Sequence, residues 1–138
     1  MSLNIFETKG TGMSVKVNPI HKLSCHCGAV EIMLTLPKGI DTPRRCNCSI
    51  CMRRGTVVAS VELKNLNVIK GEDKLKLYQF NTKTAEHYFC SICGIYTHHQ
   101  RRSVPTQFGY NTACLEGVNS YEIEGVAMGD GINHPRDR

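Results

Sequence analysis

Apolar and polar residues alternate in short runs along most of this chain. From Val30 to Leu36, the side chains of Val30, Ile32, Leu34 and Leu36 fall on one side and Glu31, Met33 and Thr35 on the other. That period of two predicts a strand with one buried face. Pro37, Gly39 and Pro43 then mark a loop. Thr56 to Val61 is rich in β-branched residues and predicts a second strand. Leu75 to Phe80, Glu86 to Phe89, Gly94 to His99 and Thr106 to Asn111 are further short strand candidates. No segment carries the apolar stripe of a long amphipathic helix, and Cys51 to Arg54 offers one helical turn at most. The expected class is mainly β. No run of about 18 apolar residues occurs, so no membrane span is expected.

The length of 138 residues suits one domain. Residues 21–138 are expected to form it, with 1–20 as an N-terminal extension. Met1-Ser2-Leu3 reads as an added leader, and Met13 as a possible second start. A hydrophobic share of 41% and a charged share of 21% exclude a highly charged disordered chain. The first residues hold no continuous apolar core of a secretory signal, which points to a cytoplasmic protein. Thiols stay reduced there, so the 8 cysteines favour metal binding over disulfides.

Seven of those cysteines fall in three tight groups: Cys25-His26-Cys27-Gly28, Cys46-Asn47-Cys48-Ser49-Ile50-Cys51 and Cys90-Ser91-Ile92-Cys93-Gly94. Zinc requires thiolates converging at about 2.3 Å from one point, and cysteines one or two residues apart on a turn achieve this. Gly28 and Gly94 each follow a pair, where a left-handed backbone lets the chain curl round a metal. Two pairs, Cys25 and Cys27 with Cys90 and Cys93, make an economical closed tetrahedron. Cys46, Cys48 and Cys51 then supply three ligands, the pattern of a catalytic zinc with an open position. Spacing leaves a second arrangement open, in which Cys114 or a histidine closes that site and both metals are structural. The Cys90-x-x-Cys93 spacing also permits redox chemistry, though without a βαβ context, and no ferredoxin spacing for an iron–sulfur cluster appears.

The net charge is +5, and three arginine pairs carry much of it: Arg44-Arg45, Arg53-Arg54 and Arg101-Arg102. Such pairs are either a solvated basic surface or a site for an anionic partner. His98 and His99 are adjacent on a candidate strand and so point to opposite faces, one of them a candidate general acid or base. His26, between two ligands, is expected to face away from metal. His21, His87 and His134 lack distinguishing context, and Tyr96 and Tyr110 read as core or rim aromatics. Basic and aromatic residues are not interleaved, so nucleic-acid binding is not expected.

The stretches Ser24-Cys-His-Cys-Gly-Ala-Val30, Arg45-Cys-Asn-Cys-Ser-Ile-Cys51, Phe89-Cys-Ser-Ile-Cys-Gly94 and Asn111-Thr-Ala-Cys-Leu-Glu-Gly117 resemble the glutathione-dependent formaldehyde-activating enzyme family, which includes centromere protein V. The resemblance spans roughly Leu23 to Gly117. It implies a β-tent fold, two antiparallel sheets meeting at an angle and pinned by zinc. It also implies two zincs per chain: a structural one held by Cys25, Cys27, Cys90 and Cys93, and a catalytic one held by Cys46, Cys48 and Cys51. Cys114 matches a family position that is not a ligand and reads as a small buried hydrophobe. Better-known members are longer beyond the position of Gly117, so the resemblance carries over the zinc ligands and not the substrate pocket.

The implied activity is that of a carbon–sulfur lyase or synthase acting on adducts of glutathione, or another thiol, with small aldehydes such as formaldehyde. Arg44, Arg45, Arg53 and Arg54 flank the three-cysteine group and are the candidates to pair with the carboxylates of that thiol. The competing expectation is a non-catalytic, zinc-stabilised binding module for protein or nucleic acid.

Overall fold

The computed structural model describes residues 15–133. The possible leader, Met13 and His134 lie outside them. Within them the chain is mainly β: β1 (Ile20–Ser24), β2 (Glu31–Thr35), β3 (Arg44–Cys46), β4 (Val58–Glu62), β5 (Leu66–Lys70), β6 (Leu75–Tyr78), β7 (Glu86–Cys90), β8 (Tyr96–Gln100), β9 (Gln107–Asn111) and β10 (Ala127–Gly129). The α-helix α1 (Ser49–Arg54) is six residues long. Among the described residues no helix is long and apolar enough to cross a membrane.

Two sheets result, one ordered β1-β2-β5 and the other β10-β3-β4-β9-β8-β7-β6. The smaller is antiparallel throughout. The larger is mixed, because β10 joins β3 in parallel at its edge. β1, β3, β5 and β10 were not among the expected strands. β1 does alternate, burying His21 and Leu23, but Pro19 and its mixed polarity blur the pattern. β3 and β10 are three residues each, too short for periodicity to register.

Alternation along β4 and β9 sets the two faces of the larger sheet. Ala59, Val61, Phe108 and Tyr110 turn toward one hydrophobic cluster that also takes Leu23 from β1, Ile32 and Leu34 from β2, and Leu66 from β5. Val58, Ser60 and Gly109 turn the other way. One face of the large sheet therefore shares a core with the small sheet, and its opposite face is left to build a site.

Candidate functional site

The first cysteine constellation joins the two sheets. Cys25 and Cys27 sit in the turn between β1 and β2, and Cys90 and Cys93 flank the turn between β7 and β8. Gly28 and Gly94 both adopt φ of 80°, the left-handed conformation that closes each turn back toward its own cysteine. Their amides bond Cys25 O at 3.2 Å and Cys90 O at 2.8 Å. Backbone amides of Val30 and Ile92 point at Cys25 Sγ and Cys90 Sγ, at 3.3 and 3.4 Å. Such donors favour thiolate sulfur. Cys27 Sγ lies 3.7 Å from both Cys25 Sγ and Cys90 Sγ. Four arms of about 2.3 Å in a tetrahedron put sulfurs about 3.8 Å apart. The four-cysteine set therefore fits zinc without rearrangement, and it leaves no position for substrate. His26 is exposed.

The second constellation sits at the end of β3. Cys46 closes that strand, Cys48 precedes α1 and Cys51 lies in its first turn. The three Sγ atoms lie within 4.8 Å of one another, and among the described residues no fourth ligand joins them. Cys114 does not; it packs on the core with its thiol toward Tyr96 O, 3.8 Å away. Crowding makes the thiols unequal. Hydrogen bonds from Cys46 and then Cys51 hold Cys48 below the ordinary thiol range, whereas Cys46 and Cys48 push Cys51 well above it. Three thiolates this close repel one another unless a cation lies among them. The donor set thus fits a metal with three protein ligands.

That cluster opens on a cavity of about 440 Å³, a size suited to a small organic ligand. Arg44, Arg54, His87, His99, Arg101 and Arg102 line it with the three cysteines. A cross-strand row runs beneath it, in which Ser60 on β4 is paired with Gly109 on β9, Gly109 with His99 on β8, and His99 with His87 on β7; His99 and His87 line the cavity. Gly109 is needed in that row because a Cβ there would stand 2.5 Å from His99 Cε1. Tyr96 Oη lies 2.6 Å from His99 Nδ1, and the His99 and His87 rings stack at 5.1 Å. Arg54 spreads its guanidinium 3.6 Å from the Tyr96 ring centre and reaches His87 Nδ1 at 3.2 Å. Burial, helped by the neighbouring cation Arg54, lowers His87 to about 4, and burial also pushes His99 well below its ordinary value. Both imidazoles are neutral at pH 7.

Of the four arginines expected to flank the site, Arg44 and Arg54 line the cavity, and Arg45 and Arg53 do not. Arg45 donates to Gly55 O at 2.8 Å, and Arg53 to Ser49 O in its own helix at 3.0 Å. Local geometry explains the division. Arg44 and Cys46 are two apart on a strand and share a face, and Cys51 and Arg54 are three apart on a helix and share a side. His99 faces the cavity, whereas His98 faces away and packs between Tyr88 and Phe108. His87 carries no sequence signal for the site, and Arg101 and Arg102 signal only as one of the three arginine pairs open to an anionic partner.

Residues 129–132, which also line the cavity, carry no sequence signal either. They are strapped over the cysteines by Asn47, the residue between Cys46 and Cys48. Asn47 Oδ1 accepts from Gly131 N at 2.7 Å and Ile132 N at 3.1 Å, and the Asn47 backbone N–H donates to Gly129 O at 3.2 Å.

Two comparisons bear on this arrangement. The family model described as glutathione-dependent formaldehyde-activating enzyme matches residues 20–125. The chain is also similar to a Rhodobacter sphaeroides protein of known crystal structure, with 53% sequence identity and a TM-score of 0.74 over 78% of this chain and 98% of that one.

Proposed function

The chain belongs to the glutathione-dependent formaldehyde-activating enzyme family, and on that premise we propose that it is a zinc-dependent carbon–sulfur lyase or synthase. It joins the thiol of glutathione, or of a similar compound, to a small aldehyde and reverses that addition, in a reducing cytoplasm. The observation that carries this reading is the asymmetry of the two cysteine sets. Four thiols close one site, while three face a cavity lined by arginines and neutral histidines.

In the addition a sulfur–carbon bond forms, the carbonyl π bond opens, and the thiol proton ends on the former carbonyl oxygen. A zinc ion held by Cys46, Cys48 and Cys51 would supply a Lewis acid that favours the thiolate form of a substrate thiol. The chain's own residues do the rest. At least one of Arg44 and Arg54 pairs with a substrate carboxylate and fixes the orientation of the sulfur. His99, held by Tyr96 and seated on Gly109, is the neutral imidazole available to take and return the proton. The strap of residues 129–132 forms part of the cavity wall and limits competing water. Cys25, Cys27, Cys90 and Cys93 would hold a second zinc and tie the two sheets together.

Metal analysis of Cys48→Ser tests the reading. The parent protein is expected to carry about two zincs per chain, and the variant about one with its fold kept, because the two sites share no ligand. Glutathione-dependent consumption of formaldehyde should be lost in the variant. Loss of both metals with unfolding would make the three-cysteine site structural and favour a zinc-stabilised binding module. Activity retained by the variant would overturn the mechanism.

A further inference from the structure

β7 runs between β6 and β8 in the larger sheet, and the ring of its His87 is covered on both faces. Phe80, just past β6, stacks on it at 5.6 Å and 29°, and His99 of β8 at 5.1 Å and 24°. Contact with anything in the cavity is left to the edge of the ring. One nitrogen on that edge is already taken, since Arg54 Nη1 lies 3.2 Å from His87 Nδ1. Arg54 is itself held, with its guanidinium 3.6 Å from the centre of the Tyr96 ring.

A guanidinium has donors and no acceptor. The Nδ1 atom in that contact therefore offers its lone pair, and the proton of the neutral imidazole sits on Nε2. A second proton, on Nδ1, would set donor against donor and cation against cation. Nε2 has no hydrogen-bond partner among the described residues. It is not a buried atom, because Tyr110 Oη is the one buried side-chain polar atom left unpaired there. It opens on the cavity that His87 lines with Cys46, Cys48 and Cys51. The one carboxylate among the lining residues, Asp130, is engaged by Asn47 and Asn133. His87 thus lacks the carboxylate partner of a general base and presents a fixed N–H donor.

We propose that His87 is a further catalytic residue, whose Nε2–H donates to the carbonyl oxygen of the aldehyde as that oxygen gains negative charge, and that Arg54 is the positioning residue that fixes its tautomer. The chemistry rests on the function proposed above; the tautomer does not. As the sulfur–carbon bond forms, the carbonyl π pair moves onto oxygen. His87 stabilises that charge and keeps its own proton, while the thiol proton reaches the oxygen by way of His99. The two ring centres, 5.1 Å apart, lie within the span of two hydrogen bonds of about 2.9 Å that meet on one atom. A donor fixed before the reaction needs no reorganisation when the charge develops, which is where such contacts act.

Imidazole nitrogen NMR and steady-state kinetics of the zinc-loaded full chain test the two parts. In the parent protein His87 is expected to show a protonated, pyrrole-type Nε2 and an unprotonated, pyridine-type Nδ1. Arg54→Met keeps an apolar stem over Tyr96 and removes the donor; His87 is then expected to populate both tautomers, with kcat lowered. A role for Arg54 confined to a substrate carboxylate would instead raise KM and leave the tautomer as in the parent. His87→Phe, which keeps the stack, is expected to lower kcat with glutathione and formaldehyde about 100-fold or more, with KM changed less than about twofold. His87→Gln, which keeps an N–H donor, is expected to fall between parent and His87→Phe. A proton on Nδ1 in the parent, a tautomer unchanged in Arg54→Met, or kcat retained in His87→Phe would each overturn the inference. A metal-loaded parent that shows the Nε2–H tautomer yet consumes no formaldehyde with glutathione would overturn the function proposed above, and the catalytic role of His87 with it.

Discussion

Gly131→Ala sets two parts of the site against each other. A Cβ at Gly131 would stand 2.5 Å from Cys46 Sγ and 2.6 Å from Cys48 Cβ, about 1 Å inside ordinary contact. Either the cysteines yield or the strap does. The ties nearest the substituted residue are the two N–H hydrogen bonds from Gly131 and Ile132 to Asn47 Oδ1, together about 2 kcal/mol at typical net values. A zinc–thiolate site is worth on the order of 10 kcal/mol and tolerates ligand shifts of only about 0.2 Å. The strap should therefore lift away while the metal stays. Hydrogen exchange is expected to speed up at the Gly131 and Ile132 amides, with metal content equal to that of the parent protein and global stability lowered by no more than about 2 kcal/mol. Ligand affinity should fall, because Asp130 and Ile132 line the cavity. Protected amides together with loss of one metal would refute the ranking of these energies.

Two other changes test the interior. Burial lowers His98 from 6.5 to about 4, so the unfolded chain takes up a proton that the folded chain refuses. Its contribution is intact above pH 6.5 and is lost as pH falls toward 4, by up to about 1.4 kcal/mol per pH unit. Denaturant titrations of His98→Phe between pH 7 and 5 should show a shallower decline than the parent, and equal slopes would mean that His98 is protonated within the fold. Tyr110 is fully buried and its hydroxyl has no hydrogen-bond partner among the described residues. Tyr110→Phe relieves an unsatisfied group that typically costs about 1–3 kcal/mol, so thermal unfolding should occur at the same or a higher temperature. A loss above about 1 kcal/mol would show that the hydroxyl is satisfied in solution.

Much of the local chemistry could be read in the chain. Ligands within a constellation are one or two residues apart, so their convergence depends on turn geometry, which spacing and a following glycine disclose. The same locality governs Arg44 with Cys46 and Arg54 with Cys51, and strand and helix periods would have separated them from Arg45 and Arg53. The six expected strands all occur, with ends displaced by at most two residues, because alternation reports the buried face more sharply than the boundary.

What the tertiary structure alone decided is which distant residues share the cavity. The row from Ser60 through Gly109 and His99 to His87 depends on the pairing registers of four strands, and an offset of one residue would turn each side chain to the opposite face. Arg101 and Arg44 line one cavity only because β8 and β4 are each bonded to β9. The strap reaches Cys46 only because β10 adds in parallel to β3. Strand order and register are properties of the assembled sheet, set by burying one common core, and no local pattern in the sequence encodes them. The cysteines told where metal can bind; the sheet determined what stands beside it.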